Sequence, residues 1–74
     1  MLKIVGTLTK ISVQKDVGVL HIQSKDNSLV GLINQLENNF EIPVTLETIK
    51  KFKNKIGQTI SISVIPMIHY HYVG

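Results

Sequence analysis

The side chains best equipped for chemistry cluster near the end of the chain, where Ile68, His69, Tyr70, His71 and Tyr72 alternate imidazoles with phenols. In an extended segment His69 and His71 fall on one face, with Ile68, Tyr70 and Tyr72 on the other. Tyrosines on an exposed strand can stack on nucleobases at ~1–3 kcal/mol each, while histidines and nearby lysines meet phosphate. The same phenols can instead pack with Ile68 on a core and leave the imidazoles in water. Same-face histidines two residues apart stand roughly 6.5–7 Å from one another. That spacing suits a shared ion, with His21 as a third ligand, but nothing in the sequence brings His21 to the pair, so neither a metal nor a cofactor is expected.

Lys10, Lys15 and Lys25 lie near the ends of an expected first hairpin. With His21, His69, Tyr70, His71 and Tyr72 they make up the expected nucleic-acid-binding set, in which lysine supplies charge and tyrosine a stacking surface. Four more lysines, Lys50, Lys51, Lys53 and Lys55, crowd one helix. They read first as its solvated face and second as an electrostatic footprint. For catalysis the sequence offers no glycine-rich phosphate loop and no nucleophile elbow. Asp16, Asp26, Glu37, Glu41 and Glu47 are scattered without a spacing that pairs two carboxylates, and no serine or threonine stands beside a foreseeable base. A non-enzymatic protein is expected.

The chain has 74 residues, a net charge of +3, 43% hydrophobic residues and no cysteine. One domain fits that length. A domain of this size buries only ~60% of the surface its unfolded chain exposes. With no disulfide to help and many apolar side chains to hide, a homo-oligomer is expected. All eight basic residues are lysine. Lacking the bidentate fork of arginine, the chain is a poor candidate for a sequence-specific major-groove reader. The start, MLKIVGTLTK, lacks the apolar run of a signal peptide, and no apolar stretch approaches ~18 residues, so a cytoplasmic protein with no membrane span is expected. Richness in Lys, Ile and Asn is the composition of an AT-rich genome such as a mobile element.

The elements that must position these residues begin with LKIVGTLTKISV, a β-branched strand whose apolar residues change parity. A bulge or bend at Gly6 would reconcile Ile4 and Leu8 with Val5, Ile11 and Val13. Gln14 to Gly18 reads as a polar turn, VGVLHIQS as the returning strand, and Lys25 to Ser28 as a loop. Residues 29–44 admit two readings. Leu29, Leu32, Ile33, Leu36 and Phe40 fit helical spacing, yet Gly31, Asn34, Asn38 and Asn39 disfavour a helix; the strand reading, LVGLINQ with a turn at ENN into FEIPV, is adopted. Residues 45–57 read as an amphipathic helix with Thr45 as N-cap, a staple of Val44 on Ile49, a stripe of Leu46, Ile49, Phe52 and Ile56, and a left-handed stop at Gly57. Ile60, Ile62 and Val64 then alternate strictly with Thr59, Ser61 and Ser63, Pro66 marks a strand end, a bulge or an edge, and MIHYHYV makes the last strand.

The expected architecture is mainly β with one short helix: a five-stranded barrel or half-barrel in the order β-β-β-α-β-β, with β-β-α-α-β-β over an antiparallel sheet as the alternative. The first order resembles the OB-fold, the Greek-key barrel used for oligonucleotides and oligosaccharides, and the resemblance is one of strand order across the whole chain. With lysines to attract phosphate and Tyr70 or Tyr72 to stack on bases, the expected function is non-enzymatic, sequence-tolerant binding of single-stranded nucleic acid. Two other functions fit the composition. One is a small protein–protein module, an inhibitor or adaptor, docking through a strand edge or apolar patch. The other is an oligomer enclosing a small anionic ligand, with His69 and His71 contributing.

Overall fold

Parity along the first strand decides how the sheet curls. In the computed structural model, which describes residues 2–24, 39–67 and 70–74, β1 runs Leu2–Gln14, and Ile4, Gly6 and Leu8 face inward. The register then slips between Leu8 and Lys10. Thr9 is the extra residue, so both Thr9 and Lys10 stay exposed and the inward parity shifts to Ile11, which packs on the core. The bulge thus sits three residues after Gly6, where it was expected. Gly6 instead permits a close approach between strands. A Cβ there would collide with the carbonyl oxygen of Gln23 and stand 2.7 Å from Ser24 Cα. Only glycine lets β2 come this near.

The turn into β2 (Val17–Ser24) is shorter than the Gln14 to Gly18 segment read from sequence. Gln14 pairs with Val17, leaving a two-residue loop of Lys15 and Asp16. Lys15 takes a positive φ of 56°. Strand β3 runs Asn39–Thr45 and pairs antiparallel with β2. The LVGLINQ segment, over which the strand and helix readings divided, lies outside the described residues. The alternation from Thr59 is realised in β4 (Thr59–Pro66), where Ile60, Ile62 and Val64 are buried and the strand ends at its proline. Strand β5 comprises Tyr70–Val73; of the MIHYHYV expected, Met67 lies in a bend and residues 68 and 69 lie outside the described residues.

The sheet order is β3-β2-β1-β4-β5. Every neighbouring pair is antiparallel, which makes the outer strands β3 and β5 parallel to each other. This is the strand order of an OB-type barrel left unzipped between β3 and β5, a curled half-barrel. Side chains span the seam. Phe40 meets Tyr70 edge to face at 5.5 Å, and Phe52 meets Tyr72 in the same way at 6.0 Å. Among the described residues, ten buried apolar side chains from β1, β2, β3, β4 and the helix lie inside, with Leu8, Leu20, Ile42 and Val64 wholly covered.

Helix α1 (Leu46–Phe52) and a 3₁₀ turn (Lys53–Lys55) lie between β3 and β4. Thr45 caps α1 as expected, its hydroxyl accepting from the Thr48 N–H at 3.1 Å. Gly57 follows with φ 90°, the left-handed stop. The apolar stripe is only half used. Phe52 is buried and Ile49 packs against Gly18, but Leu46 and Ile56 are exposed because the α-helix has just two turns. The chain re-enters the sheet by exchanging two hydrogen bonds with Leu8: the Gly57 N–H donates to the Leu8 carbonyl, and the Leu8 N–H donates to the carbonyl of Gln58.

Candidate functional site

Two regions gather chemically capable groups. The first is the outer face of β1, β2 and β3, whose residues form rows fixed by the register. One row is Gln14, Val17 and Thr45; the next is Ser12, Val19 and Pro43; the third is Lys10, His21 and Glu41. The bulge at Thr9 sets the third row, and the Thr9 hydroxyl donates to the carbonyl of His21 at 3.1 Å. His21 is held from both sides. Its Nε2 lies 2.7 Å from Ser12 Oγ, and its Nδ1 lies 3.8 Å from Glu41 Oε2. The imidazole thus links β2 to β1 through Ser12 and faces the Glu41 carboxylate of β3, its side chain only 23% exposed.

The second region is a cleft at the pole where the hairpin tip, the start of α1 and the end of β5 converge. Val17, Pro43, Val44, Thr45, Thr48 and Tyr72 line an open space of about 390 Å³, with His71 and Gly74 at its side. Tyr72 lines the cleft and also meets the Phe52 ring edge to face, and its ring edge and hydroxyl lie against Gly74. Lys55 sits over the Phe52 ring, 5.8 Å from its centre. Lys50 pairs with Glu47 at 3.8 Å in the open, a contact of little energetic weight.

The structure therefore divides the residues singled out in the sequence. His71 and Tyr72 share the cleft, and Lys15 is exposed on the adjoining tip. Lys10 and His21 are ladder partners on the outer face next to it. Tyr70 is drawn onto Phe40 at the seam, which removes part of its ring from any stacking surface. Lys25 and His69 lie outside the described residues. Among the described residues no group of three or more His, Asp or Glu side chains gathers as metal ligands, and no helix is long and apolar enough to cross a membrane.

Sequence reasoning missed Ser12 and Glu41. A signal for Ser12 existed: a two-residue loop at Lys15 and Asp16 forces Ser12 opposite Val19, diagonal to His21. The assumption of a longer turn hid it. Glu41 could be placed only through the β2–β3 register. Comparison with protein-family models, curated proteins and solved structures gives no match, so the reading of the site rests on its geometry.

Proposed function

We propose that the protein is a binding module for single-stranded nucleic acid, taking the strand across the polar outer face and into the cleft at the hairpin pole. The observation that carries this reading is convergence. His71 and Tyr72 border one open cleft on a half-barrel of OB-type strand order, Lys15 is exposed on the tip beside it, and Lys10 and His21 stand on the adjoining face. Lysines would supply the attraction to phosphate, and Tyr72, as the ring facing the cleft, would supply stacking. Readout would be sequence-tolerant, because no arginine fork is present to grip a base edge.

Fluorescence anisotropy with a labelled oligothymidylate tests it. Affinity is expected to fall with salt at a log–log slope of about −2, the value for three phosphate contacts at ~0.7 each. Tyr72→Leu, which keeps an apolar contact for Phe52, should cost about 1–3 kcal/mol of binding. A flat salt dependence, or no binding at low salt, contradicts the reading.

A second reading has its own observation. Val5, Ile65 and Val73 are exposed on the outer face of β1, β4 and β5, and Met67, just past β4, is 72% open. A patch of this kind would suit a protein partner or a second copy of the chain. Such binding would be insensitive to salt and would not involve Lys10 or Lys15.

A further inference from the structure

Ser12, His21 and Glu41 stand on three adjacent strands in hydroxyl–imidazole–carboxylate order. From this geometry we infer that Ser12 is a base-activated hydroxyl that accepts an acyl group from an activated ester with a short apolar acyl chain. His21 is its general base and Glu41 the group that orients the base. The inference concerns a different chemistry from the nucleic-acid reading and does not use the tyrosines; it shares Lys10 and His21 with that reading, and Pro43 with the cleft lining.

Three features support it. The distance of 2.7 Å between Ser12 Oγ and His21 Nε2 is within reach for direct proton transfer. The Glu41 carboxylate stands 3.8 Å from Nδ1, on the side where its charge would favour a proton on Nδ1 and leave the Nε2 lone pair for the serine. The Thr9 hydroxyl bonded to the His21 carbonyl, and the bulge beneath it, fix the backbone that carries the base. Beside the hydroxyl, Val19 and Pro43 continue its own row as half-buried apolar residues, a shelf on which a short acyl chain can lie. Lys10, in the row of His21, adds a positive charge on the same face.

The step balances with the ester and water alone. Ser12 Oγ bonds to the carbonyl carbon while its proton passes to Nε2, and the negative charge of the tetrahedral intermediate develops on the face that carries Lys10. Collapse breaks the carbon–oxygen bond to the leaving group, which departs as an alcohol or phenol with the proton from Nε2. Water deprotonated by the same nitrogen then cleaves the acyl-serine, releasing a carboxylic acid and restoring Ser12.

The test treats the full chain with an alkyl fluorophosphonate, from which fluoride leaves, and separately with 4-nitrophenyl acetate, and locates adducts by peptide mass spectrometry. Ser61 and Ser63 on the outer face of β4 are internal controls, since their ladder partners are Val5, Lys3 and Val73. Ser12 is expected to label well ahead of both. His21→Gln should slow labelling of Ser12 by at least about 100-fold, and added imidazole should restore part of the rate, which a merely structural role for His21 would not allow. Glu41→Gln, at an exposed position that tolerates change, should slow labelling by a smaller factor with the circular dichroism spectrum unchanged. Labelling of Ser61 or Ser63 as fast as Ser12, or an undiminished rate in both His21→Gln and Glu41→Gln, overturns the inference.

Discussion

The two halves of the outer surface share one core and differ in almost everything else. Behind β1, β2 and β3 lie Ile4, Leu8, Leu20, Ile22 and Ile42, and behind β1, β4 and β5 lie Ile60, Ile62 and Val64, all aliphatic and buried. Outward, the first half presents Thr9, Lys10, Ser12, Gln14, His21, Gln23 and Glu41 beside Val17, Val19 and Pro43. The second presents Val5, Ile65 and Val73 around Lys3, Ser61, Ser63 and His71. Folding dictates the inner faces, because one face of each strand must be removed from water. It makes no such demand on the outer faces. The contrast between them, more charged groups on one side and more exposed aliphatic side chains on the other, is therefore not imposed by the core.

Gly6 is where the comparison can be broken most severely, because it pairs with Ser24 of β2 and with Ile60 of β4 and so belongs to both halves. Gly6→Ala drives a methyl group into the Gln23 backbone. It is expected to cost about 3 kcal/mol in chemical denaturation, with both halves lost in one transition. Next in size is the seam. Phe40→Ala removes the edge contact with Tyr70 and should cost about 2 kcal/mol. Hydrogen exchange should then quicken in β5 before β2; equal acceleration throughout would mean that the seam does not hold the halves together.

Smaller effects sharpen the picture. Thr45→Ala deletes the cap of α1 and should lower stability by about 1 kcal/mol. Lys15→Gly relieves a positive φ at the hairpin tip and should raise stability by up to about 1 kcal/mol, read as a higher melting temperature, while weakening oligonucleotide binding. That opposition of stability and binding would mark Lys15 as a residue kept for contact. The least effect on folding is expected from Ile65→Thr with Met67→Gln, within about 0.5 kcal/mol of the parent. Sedimentation velocity of the pair tells whether the apolar half joins copies of the chain.

Where local pattern and tertiary role agree, the sequence was legible. Strict alternation at Ile60, Ile62 and Val64 can be satisfied only by a half-buried strand, and Thr45 and Gly57 act within a few residues of themselves. The order of elements along the chain, strands, one short helix and strands again, followed from them. What escaped depended on register. The inward set of β1 changes parity at Thr9 because β2 fits against it with one residue fewer, a fact that no window along β1 contains. Leu46 and Ile56 carry the helical period yet stay in water, since a two-turn helix brings only Ile49 and Phe52 over the sheet. The pairing of Phe40 with Tyr70 joins residues thirty positions apart across the seam, and the link from His21 to Glu41 spans twenty. For the candidate site, the residue types of the His/Tyr tail and the hairpin lysines could be read, but not which of them would meet.

The most direct test follows backbone amide NMR signals of the whole chain during titration with oligothymidylate at low salt. The account predicts shifts at Lys10, Lys15, Val17, His21, His71 and Tyr72, fading as salt is added, with Val5, Ile65 and Met67 unmoved. Shifts confined to the Val5, Ile65 and Met67 side, or no response at any salt concentration, would contradict it.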